Sequence, residues 1–312
     1  EKQEVIKILR ELATTIRPMT SLLEEYLAYL THIDAVGAKA KYAKESNAVL
    51  PKISKEKKIY FKNALHPVLW RKNMQQQIET IPQTIQLNQK QQIIVISGPN
   101  AGGKSITLKT IGLLQIMLQS GLLIPVDERS ETYIFENILT DIGDNQSIEN
   151  QLSTYSYRLK NMRAFLRKCN AETLFLIDEF GTGSDPELGG ALAEIFLEEF
   201  YNYGAFGIIT THYSNLKVLA NELENVTNAN MQFDERSLEP LYKLFIGQAG
   251  SSFTFEVAQK NGIPYSIINK AKKRVETEKI RLDKTISKLQ KERNRLQKNS
   301  DNLEKQKIQG QE

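Results

Sequence analysis

An eight-residue run rich in glycine has the composition of a loop that binds phosphate. It reads Gly-Pro-Asn-Ala-Gly-Gly-Lys-Ser, consisting of Gly98, Pro99, Asn100, Ala101, Gly102, Gly103, Lys104 and Ser105. An apolar run precedes it and a helical pattern follows, as phosphate binding by backbone N–H groups and a helix N-terminus requires. We expect this P-loop, with Ile106 after it, to bind a nucleotide, Lys104 to contact the β and γ oxygens and Ser105 to hold Mg²⁺. The alternative is a Gly-rich turn that begins an ordinary helix.

Two acids, Asp178 and Glu179, follow a second apolar run at residues 173–177. Open α/β sheets bind ligands at the carboxyl ends of their strands, which is where these carboxylates would lie. Asp178 would then hold Mg²⁺, and Glu179 would orient or deprotonate the attacking water, with Lys104 as a further catalytic residue. Taken alone, the two acids are equally consistent with the surface end of a strand, and the P-loop upstream favours the catalytic interpretation.

A histidine ends the third apolar run, where Thr211 and His212 follow residues 206–210. A histidine at this edge can contact the γ-phosphate or respond to the nucleotide through a hydrogen bond, so His212 is the third predicted catalytic residue. His32 and His66 have no such placement, and we assign them packing roles.

Hydroxyl side chains lie at the predicted start of another helix, in the run Gln-Leu-Ser-Thr-Tyr-Ser that includes Ser153 and Thr154. The first N–H groups of a helix and nearby hydroxyls can bind an anion, which makes these two residues candidates for a phosphate contact. Simple capping of the helix by Ser153 is the alternative.

The elements that must position these residues are predicted by apolar runs that alternate with helical patterns from about residue 57 to residue 262. Strands are expected at 93–97, 174–178 and 206–210, and helices at 104–119, 151–168 and 187–203. The connections are long enough for right-handed crossovers, so the predicted fold class is α/β, with a mostly parallel sheet covered on both faces.

Helical segments flank this region. Residues 20–47 have apolar side chains at helical spacing, with Ser21 and Glu24 as a capping-box signature, and we expect an amphipathic arm. After Pro264, apolar residues recur every seven positions, which predicts a long helix and a weak coiled coil. That series is Ile268, Val275, Leu282, Leu289, Leu296 and Leu303. The predicted division is an arm at 1–53, a catalytic domain at 54–265 and a basic extension at 266–312.

Composition restricts the class of protein. Cys169 is the single cysteine of the 312 residues, so an intramolecular disulfide is excluded, in agreement with a reducing cytoplasm. No apolar run reaches membrane-spanning length and the N-terminus does not resemble a signal peptide, so we expect a cytoplasmic protein without membrane contact. Because the chain begins at Glu1 within a helical pattern, we expect it to be a fragment of a larger protein.

The net charge of +4 is unevenly distributed. Residues 270–307 contain 14 Lys and Arg against 6 Asp and Glu, a net charge of +8, so the rest of the chain is acidic. A basic helix after an acidic body predicts contact with a polyanion, and nucleic acid is the leading candidate. A solvated, Lys-rich helix is the alternative.

Together, over about residues 54–273, these motifs resemble the ATPase domain of the MutS proteins, which belong to the ABC-type ATPases. The resemblance rests on the P-loop with its Pro-Asn pair, the Ser-Thr-Tyr element at 153–155, the acids followed by Gly-Thr-Gly at 181–183, and Thr211-His212. Residues 178–186 are more similar to the second bacterial branch of the family than to the mismatch-repair branch. The Leu-Ser-Gly-Gly-Gln signature of transporters and chromosome-structuring proteins is absent from the sequence.

The resemblance implies an ATPase with ATP and Mg²⁺ as ligands, working as a homodimer in which Ser153 and Thr154 of one subunit complete the phosphate site of the other. It places Thr80 or Ile81 against the adenine. It implies a parent protein that binds double-stranded or branched DNA and suppresses homologous recombination, or binds rRNA in collided ribosomes, and that carries a clamp and a Smr-type nuclease domain outside these residues. The alternative is a nucleotide-dependent dimerisation switch with little turnover of its own.

Overall fold

A computed structural model describes residues 1–99, 102–143, 154–182, 186–234, 237, 239–250 and 254–274, without the side chains of residues 154, 155, 254 and 256. The predictions for Asn100, Ala101 and Ser153, for the Thr154 side chain and for the heptads after residue 274 lie outside the described part of the chain.

The helices are α1 (Lys2–Ile16), α2 (Thr20–Glu45), α3 (Pro67–Gln75), α4 (Lys104–Gln119), α5 (Thr154–Lys168), α6 (Pro186–Asn202), α7 (Ser214–Glu222), α8 (Thr254–Lys260) and α9 (Tyr265–Arg274). The strands are β1 (Lys52–Ile53), β2 (Ile59–Ala64), β3 (Gln83–Leu87), β4 (Ile93–Ser97), β5 (Glu131–Thr132), β6 (Asn137–Asp141), β7 (Thr173–Ile177), β8 (Phe206–Thr210), β9 (Val226–Asp234) and β10 (Glu239–Ile246).

The central sheet has the order β10-β9-β4-β8-β7-β6. All its neighbouring pairs are parallel except β10, which runs antiparallel to β9. Every residue of β4, β7 and β8 is buried, which explains why these strands are uninterrupted apolar runs rather than alternating patterns. The predicted mostly parallel α/β fold is confirmed, although β7 begins and ends one residue earlier than expected.

Helices cover both faces of this sheet. On one face α4 packs against Ile94 and Ile96 of β4. On the other face α5, α6 and α7 pack against Ile93 and Val95 of the same strand. Because side chains alternate across a strand, each apolar residue of β4 contributes to one of two separate cores.

A second, four-stranded sheet with the order β1-β5-β2-β3 packs on the α4 side of the molecule and was not predicted as a separate sheet. In β3 buried and exposed residues alternate, and Ile85 and Leu87 contribute to the core together with Ile59 and Phe61 of β2. These strands therefore have one face in the core and one face toward solvent, the usual arrangement in antiparallel pairs.

The predicted arm forms α2, but the proposed capping box at Ser21 and Glu24 is wrong. A 3₁₀ turn, Arg17–Met19, joins α1 directly to α2, and the Thr20 N–H donates to the Arg17 carbonyl. The preceding turn therefore supplies the acceptor that a cap would have supplied. Apart from the half-buried Tyr42 and Ala43 near its end, the apolar side chains of α2 are exposed, among them Leu23, Tyr26, Leu27, Leu30 and Ile33.

The described part of the C-terminal segment forms α8 and α9. The helix after Pro264 is present, but Ile268, the first residue of the predicted heptad series, is buried within this chain and only 3% exposed. Lys272 lies over the Phe255 ring, 5.2 Å from its centroid, so α9 packs against α8. Ile268 is thus occupied by intramolecular packing and does not belong to a coiled-coil seam. None of the helices in the described residues combines the length and apolar character that crossing a membrane requires.

Two glycines in contrasting surroundings provide a test of this packing. A Cβ added to Gly207 in β8 would lie 2.3 Å from Phe175 Cζ, whereas a Cβ on Gly37 in α2 would contact nothing within 4 Å. We expect Gly207→Ala to lower the free energy of unfolding by about 1–3 kcal/mol through overpacking. The control, Gly37→Ala, should leave it unchanged or raise it by about 0.5–1 kcal/mol, because alanine favours the helix. Urea unfolding measures both, and equal effects would contradict the close packing of β7 on β8.

Candidate functional site

The P-loop joins β4 to α4 through backbone conformations that favour glycine. Gly98 has φ +125° and Gly103 has φ +92°, both in the region that a side chain disfavours. The Gly102 N–H donates to the Pro99 carbonyl at 3.1 Å and closes a tight turn. Met231 of β9 packs beneath the loop, close to Gly102. Met231 therefore packs against the glycine-rich part of the P-loop, and α4 begins at Lys104 near the end of the motif.

Lys104, the first residue of α4, is only 2% exposed. Its Nζ donates to the carbonyls of Gly98 at 2.7 Å and Pro99 at 3.0 Å. Burial lowers the pKa of Lys104 to about 8, and the positive charge of Lys217 acts in the same direction, against the attraction of Asp178 and Glu179. The lysine and both predicted acids therefore interact electrostatically in one site.

The acids follow β7 at the same edge of the sheet. Asp178 is 5% exposed, and its Oδ1 accepts a hydrogen bond from the Thr210 hydroxyl at 2.5 Å. The same hydroxyl accepts from the Glu179 N–H at 2.8 Å. Thr210 at the end of β8 thus orients both acids, a role that the sequence patterns did not indicate.

Glu179 has φ +50°, in the left-handed region. For a residue other than glycine this conformation costs roughly 1–2 kcal/mol. Such strain persists where the surroundings fix the backbone, and it is concentrated at functional sites. The position of Glu179 is therefore determined by its neighbours rather than by its own conformational preference.

His212 follows β8, and the N–H of the preceding Thr211 donates to the Ile96 carbonyl of β4 at 3.0 Å. The His212 Nε2 is buried without a hydrogen-bond partner among the described residues. Burial, with added repulsion from Lys104 and Lys217, lowers the pKa of His212 to about 4. The imidazole is therefore neutral at pH 7 and can take part in a hydrogen bond without carrying charge.

The oxygen atoms expected to hold Mg²⁺ come from two elements, the end of β7 and the first turn of α4. Asp178 provides a buried carboxylate with one oxygen oriented by Thr210, and Ser105 is a half-buried residue in the first turn of α4. Mg²⁺ that binds with a nucleotide needs only one or two protein oxygens, because phosphates and waters supply the rest. The two residues therefore fit this metal ion in number and chemical type.

A cavity of about 370 Å³ lies beside the P-loop, between the small sheet and β9-β10. It is lined by Ile81 and Thr80, the residues predicted near the adenine, and by Ile106, which follows the P-loop. The remaining lining residues are Ala64, His66, Leu69, Asn73, Ile78, Glu79, Gln83, Gly103, Thr107, Thr110, Met231 and Tyr242. A mostly apolar cavity with a few polar groups is the usual form of a small-molecule site.

The sequence patterns missed Tyr242, whose ring lies against Gly103 of the P-loop. Tyr242 has φ +52° and lies where the register of β10 on β9 is irregular. The Gln83 amide donates to its carbonyl and fixes this part of the chain. No sequence signal identifies the residue, because it comes from a strand outside every motif. His66 also lines the cavity, and its Nδ1 accepts from the Leu69 N–H at 3.3 Å as the cap of α3.

The structure therefore brings the P-loop, Asp178, Glu179 and His212 to one edge of a parallel sheet. Ser153 lies outside the described residues, and only the backbone of Thr154 is described. The fold and the site together define a domain of the P-loop ATPase type.

Comparison with known families identifies it further. The family described as MutS domain V matches residues 94–279, more than half of the chain. The chain belongs to the MutS family, as the motifs indicated.

The curated relatives that it matches are described as endonuclease MutS2. The protein of Lactiplantibacillus plantarum is 40% identical over 287 residues, which are 92% of this chain and 36% of the relative. That of Finegoldia magna is 43% identical over 278 residues, 89% of this chain and 35% of the relative. The chain thus spans about a third of the length of these relatives, and it is similar to the second bacterial branch, as predicted.

Proposed function

We propose that this chain hydrolyses ATP and that Glu179 orients or deprotonates the attacking water. The observation that carries the proposal is geometric: buried Lys104 follows β4 and the two acids follow β7, and both strands pair with β8 and end at one edge of the sheet. In P-loop enzymes a lysine, a metal-binding acid and a residue that positions water are the parts that act on the γ-phosphate. His212 would contact that phosphate, and its neutral imidazole with a buried, unpartnered Nε2 among the described residues supports this role.

The nucleotide would lie along the P-loop, from Gly98 to Ile106, with its base in the cavity lined by Ile81 and Tyr242. Ser105 and Asp178 would hold Mg²⁺, which neutralises phosphate charge when it is bound. The protein residues then fix the phosphates, orient the water and accept its proton. ATP is supported here by membership of the MutS family, whose domain V is an ATPase domain.

We further propose that two copies form the working unit, with Ser153 and Thr154 of one copy contacting the phosphates bound by the other. Support comes from the family resemblance. A switch that dimerises with nucleotide but turns over little is the alternative, and it shares every binding feature of the site.

Two substitutions separate binding from turnover. Glu179→Gln should retain nucleotide binding and lower kcat about 10²–10⁴-fold, because the amide cannot accept the proton. Lys104→Ala should instead weaken nucleotide binding about tenfold or more, because it removes the charge opposite the phosphates. Steady-state phosphate release and the binding of a fluorescent ATP analogue measure the two effects. If the Glu179→Gln variant turned over ATP as fast as the unaltered chain, Glu179 would not be the base.

Mixing two inactive variants tests the shared site. Glu179→Gln loses its own site but can still supply Ser153 and Thr154, whereas Ser153→Ala with Thr154→Ala retains its own site but cannot complete the other. Mixing equal amounts should recover about a quarter of the unaltered turnover, because half of the dimers are mixed and each has one intact site.

The dimer itself should be seen when the mass of the protein in solution is measured with ADP and with a non-hydrolysable ATP analogue. No recovery from folded, dimerising variants would contradict the sharing of residues, and a dimer without turnover would support the switch.

The parent protein, we propose, binds branched DNA, and the basic segment at 266–312 contributes phosphate contacts. Membership of the MutS family favours DNA over the ribosome as the target, although the basic composition alone fits both. In competition assays with the full-length parent protein, branched DNA should remain bound in the presence of excess ribosomes. The salt dependence should be steep. Displacement of the DNA by ribosomes would instead assign the rRNA target.

A further inference from the structure

The second turn of α5 contacts the loop that carries the acids. The Arg158 Nη1 lies 3.1 Å from the Asp178 carbonyl and 2.7 Å from the Glu179 carbonyl. It also lies 3.0 Å from the Thr182 hydroxyl, which itself donates to the Glu179 carbonyl at 2.8 Å. One guanidinium group therefore binds the backbone on both sides of the Glu179 N–Cα–C unit.

Glu179 is consequently held at both of its ends. Its N–H is fixed by the Thr210 hydroxyl of β8, and its carbonyl is fixed by Arg158 of α5 and by Thr182. The left-handed φ of this residue would relax in a chain without these contacts. Because the backbone angles set the direction of the Cα–Cβ bond and restrict the side-chain rotamers, these hydrogen bonds also limit the directions in which the Glu179 carboxylate can project.

We propose that Arg158 is a positioning residue for ATP hydrolysis, holding Glu179 in the orientation from which its carboxylate acts on water. This inference rests on the proposed function, since it assigns Glu179 as the base. Arg158 acts only through the backbone of Glu179. It therefore affects the rate of the chemical step. The binding of the nucleotide by the P-loop does not depend on it.

The surrounding contacts indicate that the loop remains folded without the guanidinium. Phe180 is 3% exposed and belongs to the core, and its N–H donates to the Thr210 carbonyl at 2.8 Å. The Tyr213 hydroxyl donates to the Gly181 carbonyl at 3.1 Å. These contacts anchor the residues after Glu179 independently of Arg158. Replacing Arg158 should therefore affect mainly the peptide groups of Glu179.

The test replaces Arg158 in the 312-residue chain by methionine and by lysine, with Arg163→Met as the matched control, because Arg163 lies exposed on the same helix. Arg158→Met should lower kcat for ATP about tenfold to a hundredfold, the usual effect of a small misplacement of a catalytic group. The KM, the affinity for a fluorescent ATP analogue and the melting temperature should stay close to those of the unaltered chain. Arg158→Lys, which retains a cationic donor, should retain an intermediate kcat, and Arg163→Met should behave like the unaltered chain.

A second variant, Thr182→Val, removes the hydroxyl that joins Arg158 to the Glu179 carbonyl. If Arg158 and Thr182 both act through the Glu179 backbone, Thr182→Val should lower kcat by less in the Arg158→Met variant than in the unaltered chain. If Glu179→Gln is inactive, either of two results for Arg158→Met would overturn the role of Arg158. One is an unchanged kcat, and the other is a lower kcat that weaker nucleotide affinity or a lower melting temperature explains. An unaltered chain without turnover, or an active Glu179→Gln, would overturn the proposed function and this inference together.

Discussion

The parallel hydrogen bonding of β4 to β8 and of β8 to β7 determines where the functional side chains lie. Ile96 pairs with Thr210, and Ile177 pairs with Ile209, so the three strands end at the same edge of the sheet. The P-loop, the acids and His212 each follow one of these ends. A shift of β8 by one residue would turn Thr210 to the other face and remove the hydroxyl that orients both acids. Register is therefore the first requirement of the site, and the burial of all three strands enforces it.

Two further connections extend from this edge. The helix α4 begins at Lys104 and runs for 16 residues, about 24 Å at the rise of an α-helix. Just beyond its end the Ser120 carbonyl accepts from Lys39 of the arm at 3.0 Å. At the other side of the P-loop, the Gly250 N–H donates to the Ser97 hydroxyl at 2.7 Å, shortly before α8. Both flanking segments are thus attached to elements that begin or end at the P-loop, and the site is central to the fold as well as to the chemistry.

Sequence patterns predicted the parts of this site that are contiguous in the chain. The P-loop and the acids are local motifs, and β4, β7 and β8 were recognisable because parallel buried strands are continuous apolar runs. Three features were inaccessible for a common reason. The separate small sheet, the Tyr242 ring against Gly103 and the support of Glu179 by Thr210 and Arg158 all depend on pairings between distant segments. The capping box failed because its pattern is local, while the preceding 3₁₀ turn had already satisfied the helix start.

The charges in the site explain why a strained backbone suits Glu179. Lys104 and Lys217 are 2% and 3% exposed, and burying ammonium groups is costly even with carbonyl partners. The folded pKa of Lys104, about 8, lies below its usual 10.5, so its burial destabilises the chain below pH 8, and this cost is relieved as pH rises toward 10.5. A bound polyphosphate would favour the charged lysine and remove the cost at neutral pH. The same cations attract the Glu179 carboxylate, and fixing the Glu179 backbone from β8 and α5 limits how far that carboxylate can move toward them.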